Sequence, residues 1–104
     1  MAQKIPVQID KDMERLSGIK LEACAAYFDG DAAVRILGEV VTVSGKPIKD
    51  YREVQAVVYD ADGDILGRDY TNWGSFQLRQ SFELIIDDLP STPARVRVFP
   101  SQSD

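Results

Sequence analysis

The chain has 104 residues, 44% hydrophobic and 28% charged, with twelve basic against seventeen acidic side chains and a formal net charge of −5. That length suits one domain able to bury roughly 60–70% of its unfolded surface, and the composition excludes disorder and a membrane insertion, since no apolar run approaches the roughly 18 residues of a span. The acidic balance argues against nucleic acid as a partner, and the absence of histidine removes Ser-His-Asp and Cys-His catalysis along with the commonest transition-metal ligand, so no enzyme is expected.

The first segment, "KIPVQI", alternates with Ile5, Val7 and Ile9 on one face, and Pro6 confines it to a sheet edge because it has no N–H for a ladder. The start "MAQKIPVQID" carries no signal-peptide core, and Cys24, the single cysteine, forms no internal disulfide; a cytoplasmic location is the default expectation. "DKDMERLSG" lacks alternation, opens on an aspartate suited to capping a short helical turn and closes on Gly18, so residues 1–18 read as an edge strand plus connector. "IKLEACAAYF" resumes the strand pattern, with Ile19, Leu21, Ala23, Ala25 and Tyr27 on one face and Lys20, Glu22 and Cys24 on the other. "DGD" at 29–31 is a hairpin turn.

In "AVRILGEVVTV", Val34 and Ile36 are in phase while Val41 and Val43 fall one residue out of step, which predicts a bulge at Gly38. A loop on Gly45 and Pro47 leads into "REVQAVVYD", a near-continuous apolar strand suited to a sheet centre, then the acidic turn, "DILGRDY" and a second loop at "TNWG". From Phe76 to Ile86 every even position except Gln80 is apolar, which reads as one long strand or two broken near "RQS". "DDLPSTP" is a loop, "ARVRVFP" a last strand, and residues 101–104 a frayed tail. Seven to eight short strands with almost no helix predict an all-β, antiparallel, immunoglobulin-like sandwich whose core spans residues 19–100.

The succession "GEV", "GKPI", "VQAVVYDADGDILG", "LRQSFEL" and "RVRVFP" resembles the FxLYD-type modules of bacteria and archaea, whose hallmark is a strand ending in Tyr-Asp followed by an Asp-Gly turn. The likeness runs from near residue 36 to the end; "LRQ" stands where that pattern carries a Pro-Gly turn. "GKPI", "DADGDILG" and "TNWGSFQL" also resemble the transthyretin-like, carboxypeptidase-regulatory type of domain. Both resemblances imply a sandwich, and neither implies catalytic residues.

The stretch "YDADGDILG" places Asp60, Asp62 and Asp64 at alternate positions, the opening spacing of an EF-hand loop. Ile65 then stands at the glycine position and Thr71 at the bidentate glutamate position, so that motif fails. A hairpin corner accounts for the same letters, with Asp60 and Asp62 accepting local hydrogen bonds and Gly63 supplying positive φ. The alternative is a shallow calcium site formed with Asp29 and Asp31 or with Asp69.

Cys24 has no histidine to activate it and reads as a small packed residue. Arg95 and Arg97 are expected to pair with Glu83 and Asp87 across a sheet, and Asp87 and Asp88, as adjacent strand residues, to point to opposite faces. Trp73 is a candidate stacking platform, with coverage of an open end of the core as the plainer reading. Leu37, Ile85 and Phe99 are outward-facing apolar residues, and together with Trp73 they form the candidate partner-binding set. The functional expectation is a noncatalytic protein-interaction or structural module that presents an edge strand or loop end to a protein partner, another copy of itself being one such partner, with a calcium- or small-ligand-binding domain as the alternative.

Overall fold

The computed structural model describes residues 3–30 and 32–101. Among these, the period-two patterning becomes eight strands: β1 (Lys4–Ile5), β2 (Val7–Ile9), β3 (Ile19–Phe28), β4 (Val34–Thr42), β5 (Arg52–Tyr59), β6 (Ile65–Trp73), β7 (Arg79–Ile86) and β8 (Arg95–Ser101). A single short helix, α1 (Lys11–Ser17), separates β2 from β3. The strands form two four-stranded sheets, in the orders β1-β3-β4-β7 and β2-β8-β5-β6, stacked as a β-sandwich. All ladders are antiparallel except β2 with β8, which run parallel.

Pro6 explains how the first strand divides. Lacking an N–H, it leaves the ladder between Ile5, paired with Ala26 in the first sheet, and Val7, paired with Val96 in the second. Its carbonyl still accepts the Val96 N–H at 2.9 Å. The chain then turns into α1, where the Asp10 side chain caps by accepting the N–H groups of Asp12 and Met13, and Gly18 closes the helix in the left-handed conformation at φ 78°.

Strand β3 departs from the simple alternation. Ile19 and Leu21 face the core, but beyond them Cys24, Ala26 and Phe28 do so, while Ala25 and Tyr27 turn to the outer face. The cause is a bulge: Ala23 and Cys24 together oppose Gly38, with Ala23 at φ 54°. The bulge therefore lies in β3, across from Gly38, and β4 continues unbroken with Val34, Ile36, Gly38, Val40 and Thr42 inward. Gly38 admits the Cys24 sulfur and the Phe82 ring, so its role is to leave space.

Val54, Ala56 and Val58 of β5 meet Val96 and Val98 of β8 on the inner face of the second sheet, all fully buried. Full burial contributes about 1.5–3 kcal/mol for each such valine. Phe76 is buried through an isolated bridge to Ile48, so the apolar run 76–86 is a bridge followed by β7, with Leu78 exposed at the break. Ser101 belongs to β8 and is buried, in contrast to the expected tail; residues 102–104 lie outside the described residues.

Candidate functional site

The acidic turn joins β5 to β6 as a hairpin corner. Asp60 Oδ1 accepts the N–H groups of both Asp62 and Asp64 at 2.9 Å, the Asp60 N–H donates to the Asp64 carbonyl, and Gly63 sits at φ 88°. Asp60 alone supplies the local side-chain bonds. Among the described residues, no group of three or more carboxylates or thiols stands together as a metal-ligand set. Asp31, one of the residues named for a calcium site, lies outside them. Asp69 has a different partner, accepting the N–H of Tyr70 at 2.8 Å on the edge strand β6. That bond occupies an edge-facing donor that another strand would otherwise use.

The four partner-binding candidates separate. Trp73 faces inward and packs edge-on against Phe76, ring centroids 5.7 Å apart at 67°, which covers the core. Phe99 lies on the outer face of the second sheet beneath Arg97, whose guanidinium carbon is 4.5 Å from the ring centroid. Leu37 and Ile85 do come together on the outer face of the first sheet: Leu37 opposes Glu83, Arg35 opposes Ile85, and the two apolar residues are diagonal neighbours. Tyr27, opposite Arg35, extends this patch into a shallow depression that also involves Phe28 and Asp29. Around it lie the ion pairs Arg35–Glu83 at 3.8 Å, Arg79–Glu39 at 2.9 Å, Arg79–Glu22 at 3.1 Å and Lys20–Glu22 at 3.6 Å.

The outer face of the second sheet has another character. Arg95 and Arg97 do not meet Glu83 and Asp87, because β8 and β7 belong to different sheets, a separation that residue spacing alone does not reveal. Arg97 binds Asp10 at 2.8 Å, and this hydrogen bond, with those from the helix N-terminus, holds the Asp10 carboxyl below its ordinary range. Arg95 lies 4.1 Å over the Tyr59 ring and donates to Gln8 Oε1 at 3.4 Å. Glu53 is buried and accepts from the Tyr51 hydroxyl and from Gln55 Nε2, both at 2.6 Å.

Cys24, Asp87 and Asp88 form neither a nucleophile–base pair nor a carboxylate dyad among the described residues. Burial and then the Glu14 charge push the Cys24 thiol up to about 11, so it is protonated at neutral pH. Asp87 and Asp88 follow the end of β7 and are not strand neighbours as the sequence implies; Asp88 has φ 54° and both side chains are exposed. Sequence reasoning did not single out Glu14. It is a buried residue of α1, with Oε2 accepting the Leu21 N–H at 2.6 Å and Oε1 3.3 Å from Lys11 Nζ, a tie between helix and β3 that no local pattern announces.

No helix among the described residues is long and apolar enough to cross a membrane. No family model and no curated protein matches the chain. Among solved structures it is similar to the crystal structure of a DUF1425 family member from Shewanella sp. pv-4, with a TM-score of 0.55 and 12% identity over 83% of this chain and 79% of that one. At that identity the likeness shows the all-β sandwich fold and no more, and the FxLYD-type assignment does not follow from it.

Proposed function

We propose that the chain is a noncatalytic interaction module that associates with a second copy of itself through the outer face of its first sheet. The observation that carries this reading is the diagonal placement of Leu37 and Ile85 on neighbouring strands, the latter 44% exposed, inside a face whose charges nearly cancel. Lys4, Lys20, Arg35 and Arg79 stand there against Glu22, Glu39 and Glu83, so two copies of a chain carrying −5 meet with little repulsion across this face. A two-fold axis makes such a patch self-complementary. The strand-ending Tyr59-Asp60 and the Gly63 turn support a place among FxLYD-like sandwich modules, which are noncatalytic.

Light scattering against concentration tests the reading. The mass rises toward that of a dimer, and Ile85→Glu, which adds a charge to the centre of the patch, returns it to that of a monomer with an unchanged melting temperature. A strict monomer at millimolar concentration overturns it.

A further inference from the structure

We propose that the outer face of the second sheet is a docking site for an acidic, extended peptide segment of a protein partner. This goes beyond self-association, using the opposite side of the sandwich and a partner of different chemistry.

The register of β8, β5 and β6 sets out the surface. Arg97 and Arg68 flank Val57 in one row, Arg95 lies beside Tyr59 in the next, and Phe99 and Tyr70 flank Gln55 on the other side. The row holding Arg97 and Arg68 thus lies between one with Arg95 and Tyr59 and one with Phe99 and Tyr70. Tyr70 is 55% exposed, whereas Val57, although outward, is only 6% exposed because its neighbours cover it.

Charge decides the partner. Arg15, Arg35, Arg79 and Arg97 each have a carboxylate within ion-pair distance, and Arg52 donates to the backbone carbonyls of Ser17 and Tyr51. Arg68 and Arg95 are the arginines with neither a carboxylate nor a backbone carbonyl acceptor among the described residues, Arg95 having only the neutral Gln8 side-chain amide at 3.4 Å, and both lie on this face. Glu53 on the same face keeps its charge, since its partners Tyr51 and Gln55 are neutral donors, but it is not within ion-pair distance of either arginine. Stacking on Tyr59 holds Arg95 flat and leaves guanidinium edges available as preorganised donors. In a chain of net charge −5, this face sets Arg68, Arg95 and Arg97 against Asp10 and Glu53, and a local positive balance bordered by rings is complementary to carboxylates.

Spacing favours a peptide. Two strand separations of roughly 4.8 Å and an offset of two residues put the Arg68 and Arg95 backbones about 12 Å apart. An extended chain spans that distance in three to four residues, with the rings receiving the side chains between two acidic positions. Nucleic acid makes several phosphate contacts and meets the repulsion of the whole molecule, so two cations without a carboxylate partner serve it poorly.

The experiment is an amide-resolved NMR titration at low salt with poly-L-glutamate of roughly 20 residues, a length that more than spans the sheet. Shifts confined to β5, β6 and β8, weakened at least fivefold by Arg68→Gln or Arg95→Gln and unaffected by Arg15→Gln on the helix, establish the site. Both substitutions are at the surface, and unchanged melting temperatures show that the fold is retained. No shifts, or shifts indifferent to the two variants, overturn the proposal. Tighter binding of an oligothymidylate of equal charge on the same amides also overturns it, in favour of phosphate. The Ile85→Glu monomer binds poly-L-glutamate like the parent, so failure here is separable from failure of self-association.

Discussion

A Cβ built on Gly38 would stand 2.6 Å from the sulfur of Cys24 and 2.9 Å from two ring carbons of Phe82. The three residues form one inner-face row across β3, β4 and β7, in which the bulged strand brings the thiol over the glycine and the ring covers it from the other side. Gly38→Ala is therefore expected to cost on the order of 2–3 kcal/mol by overpacking, lowering the melting temperature by about 10 °C or more in calorimetry. Adding Cys24→Ala should recover part of that loss, because one of the two obstacles then disappears. An unchanged melting temperature in Gly38→Ala would refute the packing argument.

Glu14 contributes through its bond to Leu21. Replacing it with alanine leaves a buried backbone N–H without an acceptor and is expected to cost about 2–3 kcal/mol in denaturant unfolding. Glu14→Gln keeps an oxygen at the same place and should cost distinctly less.

The thiol of Cys24 offers a chemical reading of the same region. With its pKa raised to about 11, first by burial and then by the Glu14 charge, the thiolate fraction at pH 8 is small. Reaction with an aromatic disulfide reagent should run about 100-fold slower than for a free cysteine near 8.5. Glu14→Gln should speed it, and a rate equal to that of a free thiol would contradict the placement.

Acid should weaken the junction between α1 and β8. The Arg97 hydrogen bond, followed by the helix-capping bond to Met13, lowers the folded-state pKa of Asp10. A depressed carboxyl stabilises the fold fully above the unfolded value of about 3.9, and that contribution drains away as pH falls through the folded value. The carboxyl resonance of Asp10 should titrate below 3.9 in NMR. In Asp10→Asn, the part of the acid-induced loss owed to this group should be missing.

The hairpin corner yields a fifth test. Asp60→Ala removes the acceptor of two backbone donors and should cost about 1 kcal/mol, a drop of several degrees in melting temperature. Millimolar calcium should leave the midpoint of the parent protein unmoved, whereas a site filled at about 100 times its dissociation constant would add roughly 2.7 kcal/mol.

Much of the sandwich is legible in residue types. Pro6 marks an edge, Asp10 and Gly18 bracket a helix, Gly63 forms a turn, and Phe82, Leu84 and Ile86 point inward by simple alternation. What escapes is whatever depends on a partner distant in sequence. The bulge is carried by Ala23, whose positive φ is imposed by tertiary pairing, and the glycine that seemed to mark it is the opposing residue that leaves room. Likewise, outward alternation correctly exposes Arg95, Arg97, Glu83 and Ile85, yet gives no information on which strands share a sheet. Leu37 and Ile85 consequently share one face as diagonal neighbours while Phe99 and Trp73 go elsewhere.

The parallel alignment of β2 with β8 has a mechanical consequence. A load that draws the leading end of β2 away from the trailing end of β8 acts along both strands in opposite directions, so their interstrand hydrogen bonds resist together in shear. An antiparallel terminal pair pulled the same way would peel open one bond at a time. Val7, Gln8 and Ile9, facing Val96, Arg97 and Val98, thus make the shortest ladder of the second sheet the one best oriented to bear tension.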